Sequence, residues 1–480
     1  MSRPGLGDEL AAYPVAIIGA GPVGLAAAAH LAEKGIDFVV LEAGPAAGAS
    51  VTAWGHVRLF SPWEFLVDAA AGRLLDAAGW DSPQATRIPY GRDLVADYLL
   101  PLAATPEIAP RVRYNSAVTA VTRRGMDRTR STGRGSTPFL LRVASSETST
   151  EFLAGAVIDT SGTYNTPNPL AAGGLPLAHA DEVRDSISAA LPDVLGADRD
   201  AFAGKHTLVV GAGHSAANTL LALAALAREV PGTTMSWAIR GAAPVRVYGS
   251  TNDELPGRGQ LGADTHRLVR DGVVTLLDRF EINDVVPAAD GRVATEGRDA
   301  TGGHVAVVGR RGGSPARVEV DRVVSSTGFR PDLSLTREIR LSLDEIVEAP
   351  RALAPLIDPN LHSCGSVPPH GVVELSHPER NYFVAGMKSY GRAPTFLLAT
   401  GYEQVRSIAD ELAGDHVSAR QVQLVLPETG VCSTGSSDSS VLRDVSVPSV
   451  PGVPGVPGVP GERRSLAVST VGGGSGGCCA

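Results

Sequence analysis

The chain of 480 residues is about three times a typical domain length, so two or three packed units with appendages are expected. Hydrophobic residues at 43% and charged residues at 19% exclude a disordered or fibrous chain for its bulk, and a formal net charge of -9 speaks against a nucleic-acid partner, which needs a concentrated basic face. Four cysteines exclude a disulfide scaffold, no apolar run approaches the roughly 18 residues of a membrane span, and residues 1–12 carry no export pattern, so a cytoplasmic protein away from membranes is expected.

The first unit in the chain reads strand, glycine turn, helix, strand over 14–19, 21–34 and 37–42. Gly19-Ala-Gly21-Pro-Val-Gly24 is a GxGxxG turn placed where a strand feeds a helix. Its glycines let the backbone approach a pyrophosphate, which the helix N-terminus then stabilises. Pro22 suits the first helical position, where its missing N–H would be unpaired anyway. Glu42 closes the next strand, where a carboxylate accepts hydrogen bonds from both ribose hydroxyls. Together these features predict a dinucleotide site rather than a merely tight turn.

Residues 92–104 read as helical, and 111–160 as short strands interrupted by a polar stretch, 123–136, expected to be an exposed hairpin or loop. A second βαβ unit spans 206–211, 215–228 and 233–239. Its turn is Gly211-Ala-Gly213-His-Ser215-Ala216, with alanine at the third position, which the fingerprint permits. The acid expected at the end of the following strand is missing, and Ile239-Arg240 stands there instead. An arginine pairs with a 2′-phosphate that a carboxylate would repel, so Arg240 points to NADPH over NADH; the competing reading is a solvated surface arginine. Strand patterns follow near 273–287, 303–309 and 317–327, and the pattern closes with a strand at 381–385 and a helix at 395–412. Val-Pro-Gly repeats within 448–462 and a Gly/Ser run at 472–477 cannot bury a core, so 416–480 is expected to be a tail.

With these two turns the chain resembles the two-dinucleotide-binding flavoprotein superfamily, and within it the flavin-containing monooxygenases, over about residues 13–412. Segments 158–162 and 324–332 resemble the two Thr-Gly crossovers that join the domains of that family, which makes Gly162 and Gly328 candidate cofactor contacts. The stretch WGHVRLFSP at 54–62 resembles the segment after the ribose carboxylate, with Trp54 and Arg58 as candidates beside the flavin; Arg58 is equally readable as a cover for its own loop. The resemblance implies an α/β fold of two Rossmann-like three-layer domains, with an NADPH domain (166–327) inserted into an FAD domain (1–165 and 328–415). It also implies a division of labour in which nicotinamide donates hydride and FAD receives it. Gly19, Gly21, Gly24 and Glu42 then serve FAD, and Gly211, Gly213, Ser215 and Arg240 serve NADPH. Two departures narrow the chemistry. No Cys-x-x-Cys or Cys-x4-Cys occurs in residues 1–415, and the Gly-Asp motif of disulfide reductases is replaced by Val384-Ala-Gly386-Met387-Lys388, where Gly386 keeps its place. The monooxygenase FxGxxxHxxx(Y/F) fingerprint is not cleanly reproduced around His179 and 202–206, so oxygenation is what the resemblance implies and not what the residues derive.

Titratable residues crowd 362–402, and His370, Tyr390 and Arg392 are the candidate catalytic groups, each also readable as a satisfied loop residue. The terminal pair Cys478-Cys479 resembles the vicinal cysteines of mercuric reductases and, with 387–402, flavoproteins of bacterial arsenic-resistance clusters. That resemblance makes Cys432, Cys478 and Cys479 candidate ligands of a soft metalloid, against a tail without a role. The resulting expectation is an NADPH-dependent flavin monooxygenase taking O2 and a small nucleophile, with a trivalent arsenical among the candidates. The alternatives are a reductase or oxidase passing electrons to a metal, quinone or thiol, and a metalloid-binding flavoprotein. Oligomeric state is left open.

Overall fold

The computed structural model describes residues 9–145, 148–248, 256–288, 305–358, 367–393 and 396–424. Strands β1 (Val15–Ile18) and β2 (Phe38–Leu41) are apolar and buried at every position because both faces of their sheet are covered. Val15, Ile17, Phe38 and Val40 pack among residues of the helices Pro22–Glu33 and Leu398–Ala413. Their neighbours Ala16, Ile18, Val39 and Leu41 point the other way and pack with Val121, Phe139 and Leu141. Those three belong to an antiparallel sheet of β4 (Ala117–Arg123), β5 (Phe139–Ala144) and β6 (Ser149–Ala154), which follows the short β3 (Val112–Arg113). With β7 (Ala156–Asp159) and the late strand Tyr382–Val384, the first sheet is parallel throughout. Its order is the late strand, β7, β1, β2, β3.

The second domain is inserted between β7 and that late strand. It contains β8 (Ile187–Ser188), β9 (His206–Val210), β10 (Thr234–Ala238), β11 (Val274–Leu277), β12 (Phe280–Pro287), β13 (Val305–Arg311), β14 (Ser314–Val320) and β15 (Arg322–Ser325), so the late strand is β16. Its parallel sheet has the order β11-β10-β9-β15-β8, covered on one face by the helices His214–Glu229 and Pro256–Arg270 and on the other by the antiparallel β12-β13-β14. Two three-layer α/β domains result, the architecture expected from the two βαβ patterns. The linkers between them pair with each other: Asn168 N donates to Gly328 O (2.9 Å), Arg330 N to Thr166 O (3.0 Å) and Thr327 Oγ1 to Asn168 O (2.7 Å), while the Tyr164 and Phe329 rings lie 5.4 Å apart.

Two expectations change. The polar stretch 123–136 is not simply an exposed loop. Arg123 and Arg134 are buried and share the carboxylate of buried Glu379, with Arg123 Nε 2.9 Å from Oε1 and Arg134 Nη2 2.7 Å from Oε2; Arg123 also stacks on the Phe139 ring at 3.6 Å. Two guanidiniums can leave water here because the carboxylate and the carbonyls of Thr137, Arg380, Asp127 and Glu338 take up their N–H groups. The packed chain also runs past the boundary expected at 416. A turn His416–Ala419 is capped by Asp415, and Arg406 donates to Ser418 O and Gln421 O, fastening this segment to the closing helix. Cys364 and the candidate ligands Cys432, Cys478 and Cys479 lie outside the described residues. Among those residues no helix is long and apolar enough to cross a membrane.

Candidate active site

At the first glycine turn, Gly19 has φ +98°, and a Cβ on Gly24 would stand 2.0 Å from Gly19 O, so helix and strand can approach this closely only without side chains. Gly21 differs, because a Cβ there would meet nothing within 4 Å. It is the N-cap of the helix Pro22–Glu33 and supplies no side-chain cap, which leaves the first-turn N–H groups facing open space for an anion. Glu42, half-buried at the end of β2, accepts from Ala20 N (2.6 Å) and Gly44 N (2.7 Å). These bonds aim the carboxylate at the turn and leave lone pairs for ribose hydroxyls.

Three further segments converge on this turn. Thr160 Oγ1 donates to Ile18 O (2.8 Å), tying the crossover after β7 to the end of β1. Val23, in the first turn of the helix, packs against Gly386, where a Cβ would approach it to 3.3 Å, and against Gly401, where a Cβ would reach both Val23 and Phe396 at 2.7 Å. The crossover, the turn Gly386–Tyr390 and the start of the closing helix therefore gather at the carboxyl edge of the sheet, where parallel α/β sheets bind their ligands. An open cradle at Gly21, an uncapped helix N-terminus and an aimed carboxylate fit a dinucleotide such as FAD. Gly162, with φ +69° and open space at its Cβ, continues the same edge.

The second turn repeats the design. Gly211 has φ +130°, and a Cβ would stand 2.0 Å from Ser326 O, whereas Gly213, the N-cap of the helix His214–Glu229, faces open space. Ser215 lies half-buried in the first turn of that helix. Arg240 is exposed just beyond β10, its Nη1 donating to Ala172 O (3.2 Å), and Gly328 (φ +86°) sits in the paired linkers. The first domain reaches the second turn through an aromatic side chain. Phe60, from the segment 54–62, packs into the core of the second domain, its ring 5.3 Å from that of His214 at the helix N-terminus. Within the same segment Trp54 is half-buried and would be 2.8 Å from a Cβ on Gly91, while Arg58 is exposed and its backbone bridges Tyr90.

The candidate catalytic residues separate. His370 is buried with both ring nitrogens partnered: Nδ1 lies 3.0 Å from Pro368 O, and Gln404 Nε2 donates to its Nε2 at 2.8 Å. Burial lowers its pKa, so the ring is neutral with its proton on Nδ1. Gln404 also accepts from Gly386 N (2.8 Å) and donates to Ser389 Oγ (2.9 Å), so His370 braces the Gly386 turn through this amide. Tyr390 is buried between His370 and Phe396, with ring centroids at 5.6 and 5.1 Å, and burial raises its hydroxyl pKa well out of the neutral range. Arg392 is exposed. What sequence reasoning missed is Lys388, fully buried, with Nζ 2.7 Å from Asp159 Oδ2 and 2.9 Å from Ser161 Oγ. The available signal was its rarity, since it is one of three lysines beside 39 arginines. Among the described residues no group of three or more His, Cys, Asp or Glu side chains is arranged to hold a metal ion.

Comparison with known proteins agrees with this geometry. Residues 16–243 match the family described as pyridine nucleotide-disulphide oxidoreductase. A ferredoxin–NADP reductase of Salinispora tropica is 28% identical over 333 residues, covering 69% of this chain and 78% of that protein. Among solved structures, a bacillithiol disulfide reductase of Bacillus cereus superposes with a TM-score of 0.61 at 18% identity, covering 84% of this chain and 99% of that one. An FAD-bound cadaverine monooxygenase of Erwinia amylovora superposes with a TM-score of 0.57 at 15% identity, covering 87% and 97%.

Proposed function

We propose, for a chain that belongs to the FAD- and NAD(P)-binding flavoprotein superfamily, that it is an NADPH-using FAD oxidoreductase whose activity is the oxygenation of a small nucleophile. The observation that carries the reading is the reach of the first domain's Phe60 to His214 at the second cradle, in a chain whose residues 1–415 hold no Cys-x-x-Cys or Cys-x4-Cys to relay electrons as a disulfide. The overall reaction balances as NADPH, H⁺, O2 and substrate giving NADP⁺, water and the oxygenated substrate. Bound FAD supplies the hydride acceptance and oxygen chemistry that no side chain here possesses.

The chain's own residues bind and orient. Gly19, Gly21 and Gly24 admit the FAD pyrophosphate to the helix N-terminus, and Glu42 holds the ribose. Gly211, Gly213 and Ser215 receive the second dinucleotide, and Arg240 selects the 2′-phosphate by exchanging its bond to Ala172 O for a charge-assisted one. His370, through Gln404, and Tyr390, by packing, fix the Gly386 turn, while exposed Arg392 is the group free to meet an anionic substrate. A trivalent arsenical is the first nucleophile to try, on the strength of the cysteines at 432, 478 and 479.

The test is a mass balance. FAD-loaded protein is given NADPH, ¹⁸O2 and a panel of sulfides, amines and arsenite, and product oxygen and hydrogen peroxide are measured together. Label in the product supports oxygenation. All reducing equivalents recovered as peroxide with every nucleophile, alongside rapid reduction of a quinone or ferredoxin, would establish the reductase reading instead.

A further inference from the structure

We propose that the buried Lys388–Asp159 ion pair is a positioning device for the cofactor in the first cradle, fixing the two segments that bracket it and biasing it electrostatically toward its reduced form. This rests on FAD occupying that cradle. Both side chains are 0% exposed, so Lys388 acts through its neighbours and its field rather than by contact. Asp159 Oδ2 accepts from Lys388 Nζ (2.7 Å) and from the Tyr382 hydroxyl (3.1 Å); Oδ1 accepts from Ser161 N (3.2 Å) and Ser161 Oγ (2.7 Å). Ser161 Oγ in turn accepts from Lys388 Nζ (2.9 Å). Ser161 is exposed on the open edge, and this bonding leaves its hydroxyl a single orientation.

The pair joins the crossover after β7, whose Thr160 is tied to the first glycine turn, to the turn Gly386–Tyr390, which packs on Val23. Stability alone does not explain it, because the cost of desolvating two ions offsets much of their attraction and a packed apolar pair would hold the segments as well. Charges removed from water act over longer distances than solvated ones. A reduced flavin carries more negative charge than an oxidised one, so an ammonium beside the cradle favours the reduced form and a carboxylate disfavours it. A lysine suits the place because its compact point charge satisfies one carboxylate oxygen and one hydroxyl.

The test measures flavin midpoint potential and FAD affinity in full-length protein for the parent, Lys388→Met, Asp159→Asn, the double variant and Lys388→Arg. The two single variants should shift the potential in opposite directions, Lys388→Met down and Asp159→Asn up. The double variant should lie below the parent, by less than Lys388→Met does, and the charge-retaining Lys388→Arg should stay near the parent. Each tenfold change in the ratio of affinities for reduced and oxidised FAD reads as about 30 mV for a two-electron couple. Single variants that move the potential the same way, or not at all, overturn the proposal, since mere loosening of the fold has no reason to produce opposite signs. Should Lys388→Met fail to fold, Asp159→Asn and Lys388→Arg decide: an upward shift in the first with parental potential in the second is required. A parent that takes up no FAD overturns the cofactor assignment and this inference with it, whereas a parent that binds FAD while the variants shift alike overturns the inference alone.

Discussion

Alanine at Gly213 and alanine at Gly211 should have opposite consequences, although the two glycines are two residues apart in the same turn. Gly213 has φ −116° and ψ 177°, a conformation alanine adopts freely, and its Cβ would meet nothing within 4 Å. The remaining cost to the fold is that of a poorer N-cap residue, about 0.5–1 kcal/mol. The new methyl group stands where the backbone should approach a pyrophosphate, and crowding a close contact costs about 1–3 kcal/mol, equivalent to roughly a 5- to 150-fold loss in NADP⁺ affinity. Gly211 is the reverse case. At φ +130°, with Ser326 O 2.0 Å from the added Cβ, Gly211→Ala strains the backbone and forces β9 and β15 apart before any ligand arrives. Thermal denaturation of the protein without nucleotide and calorimetric titration with NADP⁺ separate the effects. Gly213→Ala should lose affinity with its melting temperature nearly unchanged, and Gly211→Ala should lose stability first. Parental NADP⁺ affinity in Gly213→Ala would refute the placement of the pyrophosphate.

Three other outcomes are expected. Arg240→Ala should lower the preference for NADPH over NADH by roughly 10- to 150-fold, the worth of a charge-assisted hydrogen bond of about 1.5–3 kcal/mol; steady-state kinetics with both nucleotides measures it, and an unchanged ratio assigns the 2′-phosphate elsewhere. Glu379→Gln leaves Arg123 and Arg134 buried without a counter-ion and should destabilise the first domain by about 3–5 kcal/mol in denaturant unfolding. Burial pushes the Glu379 carboxyl up, but the two guanidiniums outweigh it and hold the pKa below the ordinary value. Its contribution is therefore present at neutral pH and lost as pH falls through the lowered pKa, so parent and variant should converge in acid. His377 is held down to about 4 by burial, so protonation favours the unfolded chain as pH drops from about 6.5 toward 4. His377→Asn should flatten stability over that interval, and parallel pH curves would show the ring to be solvated.

The two βαβ units were legible in the sequence because each signal is local: four apolar residues, a glycine spacing fixed by pyrophosphate geometry, and a charged or acidic residue at the end of the next strand. Gly19, Gly21 and Gly24 stand where that spacing puts them, and the strands β1 and β9 are buried at every position but His206 because parallel sheets are covered on both faces. What was not legible is long-range. Arg123 reads as part of a polar loop because the acid that pairs with it is not its near neighbour in the chain. Its partner Glu379 lies 256 residues away, beside the start of β16, and only the insertion of a whole domain between β7 and β16 accounts for that separation.

The same reason explains why His370 looked catalytic and Lys388 did not. A histidine among polar residues attracts attention, yet its meaning depends on Gln404, 34 residues on, which takes its second nitrogen and spends the ring on orienting Gly386. Lys388 follows a buried strand, where a cation is out of place unless a partner comes from elsewhere, and β7 brings Asp159 from 229 residues upstream. A lone lysine after a buried strand is thus an implicit statement that a distant carboxylate lies next to it, because an unpaired buried ammonium is not tolerated. Since the pairing of β7 with β16 places both residues at the carboxyl edge of the sheet, the charge pair falls beside the proposed cofactor cradle and not in the body of the core. A buried charge at that edge therefore has consequences for the cofactor as well as for folding, which is why its effect should be sought first in a potential and only then in a melting temperature.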